Sequence, residues 1–388
     1  MQQDDYQAEL QLVQRLYRCP EFFEDSARIT GTELHRQQEL RKIYSADLVR
    51  AGLQLADLRR KAAAKFSQSQ AMWFDRIGLQ QSSSERLSRW KAKRFQGRVI
   101  DACAGIGGDT LALAQTGLVL AVDCHPVRCR FIQWNADAYQ VADRMEVVCS
   151  DVESLSPGDA LLHIDPDQRA GRPGRSLRLE HCRPAYEYLL QCVERYRGGA
   201  IKLSPAANFC GKFDNVEIEL ISDQGECKQA VIWFGALRQQ TPWRATALPA
   251  GETIAGDPLR VPTVVTPLAE YVFDPDPSVV RAGLVDLLAS QQSLTRLDDA
   301  EEYLTGLQPV DSALLQGFRV VDALPYREKT IREYFRDSVY GELEIKCRHT
   351  PVKIEQLRGK LNLTGDQKGV LMIARLAGKT RALVCTRV

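Results

Sequence analysis

The stretch VIDACAGIGGDTLALA, from Val99 to Ala114, limits the architecture more than any other part of the chain. A short apolar run ending in an acid is followed by Gly105, Gly107 and Gly108 and then by an Ala- and Leu-rich run, which reads as strand, tight turn and helix. Glycines let the backbone approach a ligand closely, and the start of a helix offers N–H groups with no partner inside the helix. The turn therefore suits a nucleotide-like cofactor, although a dinucleotide site or a purely structural turn uses similar glycines.

From Arg98 onward, short apolar runs alternate with helical stretches, the pattern of an α/β unit with a mainly parallel sheet. Strands are expected at 99–102, 118–122, 145–148, 161–164, 200–203, 216–221 and 230–234, with helices at 109–115, 127–139 and 185–196. This is a Rossmann-like, seven-stranded α/β pattern. Ahead of it, Leu40, Ile43, Leu48, Leu53 and Leu58 fall at helical intervals among charges and predict a packing stripe. Beyond Gly235, the segment TPWRATALPAGETIAGDPLRVPTVVTP breaks the pattern and reads as a linker. The expected division is a helical segment at 1–64, the α/β domain at 65–238, and a linker with a second domain at 239–388.

Composition excludes other classes. With 44% hydrophobic and 26% charged residues, the chain is neither disordered nor collagen-like. No apolar run approaches the ~18 residues of a membrane span, and the polar start MQQDDYQAEL lacks the apolar region of a signal peptide. A cytoplasmic protein with no membrane partner is expected. Eleven cysteines without a Cys-x-x-Cys pair suggest neither a disulfide framework nor a zinc site, so no metal is expected and most thiols should be reduced and buried.

Acids at the strand ends sharpen the cofactor reading. Asp123 closes the second strand about 20 residues after Asp101, where a carboxylate can accept both ribose hydroxyls of NAD or of S-adenosylmethionine. Asp151 follows the third strand, from which an acid can take a bond from an adenine amino group; a helix cap is the plainer role. Asp101 stands four residues ahead of Gly105, where it can meet the ammonium of a sulfonium cofactor. A dinucleotide turn cradles a pyrophosphate and normally lacks that acid.

The run from Val99 to Leu155 resembles class I methyltransferases of the trimethylguanosine synthase type, motif by motif. Upstream, GLQQSSSERLSRWKAKRF is similar to the helix entry that closes over the methionine end of the cofactor in those enzymes. Read physically, Ser82 or Ser83 is an N-cap candidate and Ser82 with Glu85 fits a capping box. The resemblance places Gln81 and Ser83 near the cofactor. From Lys65 onward, through GECKQAVIWFGAL, AEYVFDPDPSVVRAGLVDLLA and GELEIKCRHTPVKIEQLRGKL, the chain resembles a bacterial group in which this domain precedes an α+β THUMP-like domain. The candidate S-adenosylmethionine contacts are thus Gln81, Ser83, Asp101, Cys103, Ala104, Gly105, Gly107, Asp109, Asp123, Cys124, Asp151 and Val152.

Amino methyltransferases acting on bases commonly end the fourth strand in Asp/Asn-Pro-Pro-aromatic. There a carboxylate and a carbonyl hold the exocyclic amine and a ring stacks on the base. Here the sequence is Asp165-Pro166-Asp167-Gln168, so the second proline and the aromatic are absent. Asp165, Pro166 and Asp167 are the candidate catalytic residues. Arg169, Arg172, Arg175 and Arg178 follow in a loop suited to phosphate contacts, and Lys202 and Asn208 come after the fifth strand as substrate-binding candidates. Cys227, without a histidine partner, reads as structural.

From Gly341 to Val388, ten Lys and Arg face four Asp and Glu, an electrostatic reason to expect RNA, a tRNA or rRNA, as partner. The expected function is S-adenosylmethionine-dependent methylation of RNA, with a base nitrogen as one acceptor. An NAD-dependent oxidoreductase and a non-catalytic S-adenosylmethionine- or RNA-binding module are the rivals.

Overall fold

The computed structural model describes residues 2–168, 178–336, 338–348 and 353–388. The chain forms two compact units, Met1–Val216 with Ile232–Arg238, and Glu217–Val231 with Gln239–Val388.

The first unit opens with helices α1 (Gln2–Tyr17), α2 (Glu21–Arg28), α3 (Glu33–Leu40) and α4 (Ala46–Ala62). The expected stripe is interrupted, because α3 ends at Leu40 and Ser45 is the N-cap of α4. Ile43 therefore falls in a turn and is 65% exposed, whereas Leu40, Leu48 and Leu58 are buried. Helices α5 (Arg76–Gln81) and α6 (Glu85–Ala92) lead into the sheet. The N-cap of α6 is Ser84, and no capping box forms with Ser82. Instead, the Glu85 carboxylate accepts the Ser67 N–H at 2.7 Å and the Tyr139 hydroxyl at 2.9 Å.

The sheet then follows as β1 (Gly97–Ala102), α7 (Gly108–Thr116), β2 (Gly117–Asp123), α8 (Pro126–Ala138), β3 (Met145–Cys149), β4 (Leu161–Ile164), α9 (Tyr186–Arg195) and β5 (Gly198–Leu203). Next come β6 (Glu217–Asp223), in the second unit, and β7 (Glu226–Gly235), which passes into the first unit at Ile232. In the first unit the hydrogen-bonded order is β3-β2-β1-β4-β5-β7. Strands β1 to β5 pair in parallel. β4 and β5 are buried along their whole length, which is why LLHI and GGAIKL read as continuous rather than alternating runs. The chain steps outward from β1 to β2 and β3, then returns to the other side of β1 for β4. Open α/β sheets bind ligands at the strand carboxyl ends beside such a reversal.

In the second unit, β8 (Trp243–Leu248) pairs in parallel with β6 and antiparallel with β9 (Glu252–Gly256). The segment read as a linker is therefore partly sheet. Its buried residues are mostly small or isolated, with Ala245, Thr246 and Ala247 beside Leu248 and Ile254 alone in β9, so no apolar run stands out. A second sheet is built from β10 (Tyr271–Pro275), β11 (Thr295–Arg296), β12 (Leu304–Gly306), β13 (Leu315–Pro325), β14 (Tyr340–Cys347), β15 (Gln367–Leu376) and β16 (Lys379–Arg387). Its order is β11-β12-β10-β13-β16-β15-β14. One core joins Ile331, Phe335, Leu343, Leu371 and Val384, and another joins Val272, Phe318, Met372 and Leu383. The second unit is α+β, as the sequence implied.

None of the eleven cysteines is in a disulfide, but only Cys129, Cys182, Cys192 and Cys385 are buried. Cys124 and Cys149 are exposed because they sit at the carboxyl ends of β2 and the edge strand β3. Among the described residues, no helix is long and apolar enough to cross a membrane, and no group of three or more His, Cys, Asp or Glu could hold a metal ion.

Candidate active site

The turn after β1 holds three residues in the left-handed region, Cys103 (φ 58°), Gly105 (φ 60°) and Gly107 (φ 88°). Gly107 is the N-cap of α7, and a Cβ at Gly105 would meet nothing within 4 Å. The Gly105 N–H donates to Asp123 Oδ2 at 2.8 Å, and the His125 N–H donates to Asp123 Oδ1 at 2.9 Å. Burial pushes the Asp123 pKa up in spite of these bonds and of Arg128. Each carboxylate oxygen keeps a lone pair, so a buried acceptor beside the open flank of Gly105 is a cradle that fits a ribose-bearing cofactor. Asp151 caps the short turn that follows, accepting the Glu153 N–H at 2.9 Å, and its neighbour Val152 is buried.

Beneath the turn lies a buried charged cluster. Asp101 is 1% exposed; its Oδ1 contacts His163 Nδ1 at 2.7 Å and its Oδ2 accepts the Thr110 hydroxyl at 2.5 Å. Both oxygens are engaged within the protein. Asp109, in the first turn of α7, pairs through Oδ1 with Lys91 Nζ at 2.7 Å and accepts the Ser83 hydroxyl on Oδ2 at 2.8 Å. Burial opposes the charge on Asp109, but the Lys91 ammonium outweighs it and holds the carboxyl well below the usual range. Burial lowers the Lys91 pKa, and Asp109 opposes that shift.

Lys91, His163 and Thr110 were not singled out from the sequence. Lys91 had a signal: Leu87, Ser88, Ala92 and Phe95 recur at helical intervals and bury one face of the segment, and Lys91 falls within that stripe.

At the carboxyl ends of β4 and β5, Asp165 is ion-paired with Lys202. Lys202 is buried, and its ammonium also reaches the Gln81 carbonyl at 3.4 Å. Burial opposes the Lys202 charge, yet Asp165 and then Asp109 raise its pKa. The Gln81 side-chain amide donates to Asp167 Oδ1 at 3.2 Å, and the Asp167 backbone bridges Arg183 in both directions. Gln168 accepts the Ser204 N–H at 2.9 Å, and Asn208 accepts the Leu179 N–H at 3.0 Å. Thus Gln81, Asp165, Asp167 and Lys202 are brought together, whereas Asn208 is tied to Leu179. Arg169, Arg172 and Arg175 lie outside the described residues.

In the second unit, among the described residues, seven of the tail's ten basic residues are ion-paired, and three acids upstream of Gly341 offset half of its excess of six. Lys346 and Arg348 share Asp274, Lys360 pairs with Glu328, and Arg375 with Asp298. Arg358, Lys368 and Arg387 pair with acids of the tail itself. Acids upstream of Gly341 supply what a count restricted to the tail omits. Burial pushes the Cys227 thiol up to about 12, which disfavours a nucleophilic thiolate.

A glycine turn at the sheet's order reversal, with acids ending successive strands, defines a nucleotide-cofactor α/β enzyme. A profile described as RNA cap guanine-N2 methyltransferase matches residues 96–190, and one described as THUMP domain-like matches residues 315–387. Proteins from two strains of Mycobacterium tuberculosis, each named an uncharacterized S-adenosylmethionine-dependent methyltransferase, are 32% identical over 337 residues, covering 82% of this chain and 90% of theirs. A crystal structure from Porphyromonas gingivalis W83, carrying a provisional methyltransferase name, has a similar fold. Its TM-score is 0.75 at 18% identity, over 89% of this chain and 92% of that one. The chain belongs to the S-adenosylmethionine-dependent methyltransferase family of these mycobacterial proteins. It is a methyltransferase with S-adenosylmethionine as cofactor, which sets aside both the oxidoreductase and the non-catalytic readings.

Proposed function

We propose that this methyltransferase modifies RNA, with a base nitrogen as acceptor, at the carboxyl ends of β1, β4 and β5. The observation that carries the proposal is Asp165, an acid at the end of β4 beside β1, held by Lys202. Similarity of residues 96–190 to the guanine-N2 profile and of 315–387 to the THUMP-like profile supports RNA as the substrate class.

In this reading, Gln81 and Ser83 meet the methionine end of the cofactor and the backbone of Cys103 to Gly107 lines it. Asp109 holds Ser83, and Asp101 braces the turn from below through Thr110. The two remaining lone pairs of Asp123 accept the ribose hydroxyls, with Cys124, Asp151 and Val152 toward the adenine. When bound, S-adenosylmethionine supplies an electrophilic methyl group on a sulfonium. The Asp165 carboxylate and the Pro166 carbonyl orient the acceptor N–H groups, so that proximity and orientation supply most of the rate. Asp167, hydrogen-bonded by Gln81, takes the released proton in this reading. Arg169, Arg172 and Asn208 are the substrate-binding residues of this reading. Turnover of S-adenosylmethionine to S-adenosylhomocysteine with purified protein and total cellular RNA tests the proposal. RNA-dependent turnover with methylated nucleosides supports it, and turnover that is indifferent to RNA overturns it.

A further inference from the structure

With Lys91 charged and paired to Asp109, the buried cluster under the turn has one self-consistent arrangement of protons. Lys91 is 1% exposed, and its ammonium meets three groups: Asp109 Oδ1 at 2.7 Å, His163 Nε2 at 3.4 Å and the Ser83 hydroxyl oxygen at 3.5 Å. An ammonium can only donate. The ring nitrogen facing it must therefore accept, which puts the His163 proton on Nδ1, where it donates to Asp101 Oδ1 at 2.7 Å. Thr110 donates to the other oxygen of Asp101. The Asp101 carboxylate thus ties the end of β1 to the first turn of α7, across a turn that carries three left-handed residues, one of them the non-glycine Cys103. A cysteine in that region costs free energy and persists only where its surroundings hold it.

We propose that Lys91 and His163 are positioning residues for the cofactor. Lys91 sets the tautomer of His163, and His163 aims Asp101 so that the turn stays in its receptive form. The proposal rests on the reading that this turn lines the cofactor site. It differs from a packing role, in which the His163 ring merely fills space beside Phe95, 6.1 Å away between ring centres.

The two roles predict opposite orders for two substitutions, read by titration calorimetry of S-adenosylmethionine into the full chain. His163→Phe keeps the ring and loses the donor, so positioning predicts a dissociation constant raised about tenfold or more, the scale of a lost bond to a buried carboxylate. His163→Asn loses the ring but can place an amide N–H near the Nδ1 position, and its constant should stay within about threefold of wild type. Phe tolerated and Asn damaging would overturn the proposal in favour of packing. A second reading needs no variant: nitrogen-15 spectra of the imidazole in the intact protein should show the Nδ1–H tautomer, and an Nε2–H tautomer or a doubly protonated ring would overturn the proposal. Asp123→Ala, measured alongside, separates the failures. If it weakens binding while His163→Phe does not, only the positioning role falls; if it leaves binding unchanged, the cofactor site and the positioning role fall together.

Discussion

Breaking the Lys91–Asp109 pair should be among the most destabilising polar changes in the first unit. In Asp109→Asn, the ammonium of Lys91 stays buried and faces a neutral amide, a ring nitrogen at 3.4 Å and a hydroxyl at 3.5 Å, with no carboxylate left at ion-pair distance among the described residues. Both side chains of the pair are at most 9% exposed, so water cannot compensate. Removing one member of such a pair typically costs about 3–5 kcal/mol. That is a large share of the roughly 5–15 kcal/mol by which folded proteins are stable. In urea, with slopes of about 2–3 kcal/mol per molar, the midpoint should fall by roughly 1–2 M.

Lys91→Met should cost a similar amount, because it leaves the Asp109 carboxylate with the Ser83 hydroxyl alone. The double variant should cost less than the sum of the singles, with a coupling of about 2 kcal/mol or more. Equilibrium urea unfolding followed by far-ultraviolet dichroism measures all three. The sign with pH is fixed by the depressed Asp109 pKa. The stabilisation is fully present above the unfolded value near 4 and is lost only as pH falls through the lower folded value. The cost of Asp109→Asn should therefore be flat from about pH 5 to 8. Single variants costing less than about 1 kcal/mol with no coupling would mark the pair as solvated and refute the reasoning.

Asp165→Asn should lower turnover on the order of a hundredfold while changing cofactor affinity little, since the lost interaction belongs to the transition state; weakened cofactor binding with intact turnover at saturation would move Asp165 to the donor side. Because burial raises the Asp123 pKa, cofactor affinity should fall as pH drops through that value, while this group's own contribution to the stability of the free protein rises; Asp123→Asn should flatten the affinity profile in calorimetry. Among the described residues, Lys379 and Arg381 have no carboxylate within ion-pair distance, so Lys379→Glu with Arg381→Glu should reduce the salt dependence of RNA binding by about two units of log–log slope. An unchanged slope would place the RNA contacts elsewhere. Substitution is the better test than deleting Gly341–Val388, because β15 and β16 are interior strands of the second sheet.

The parallel strands were legible in the sequence because burial on both faces turns each into a continuous apolar run, as in LLHI of β4. The acids at their ends, Asp101, Asp123 and Asp165, followed from where each run stops. β8 and β9 were not legible, since Ala245, Thr246 and Ala247 pack by being small rather than apolar, and Pro249 with Gly251 gave the stretch the look of a linker. The break after Leu40 was missed because the hydrophobic spacing continues across it. Lys91 and His163 stayed hidden for a different reason. A lysine on a helix reads as solvated and a histidine inside a strand reads as core, and only the packing of α6 against α7, with β4 beside β1, gives them partners.

The most direct test of the central claim is titration calorimetry of S-adenosylmethionine into the wild-type chain and into Asp123→Ala. Saturable binding at one site, weakened by about 1.5–3 kcal/mol in the variant, is the result this structure predicts for loss of an acceptor to two ribose hydroxyls. Binding of equal strength in both proteins would contradict the cofactor site at the turn after β1.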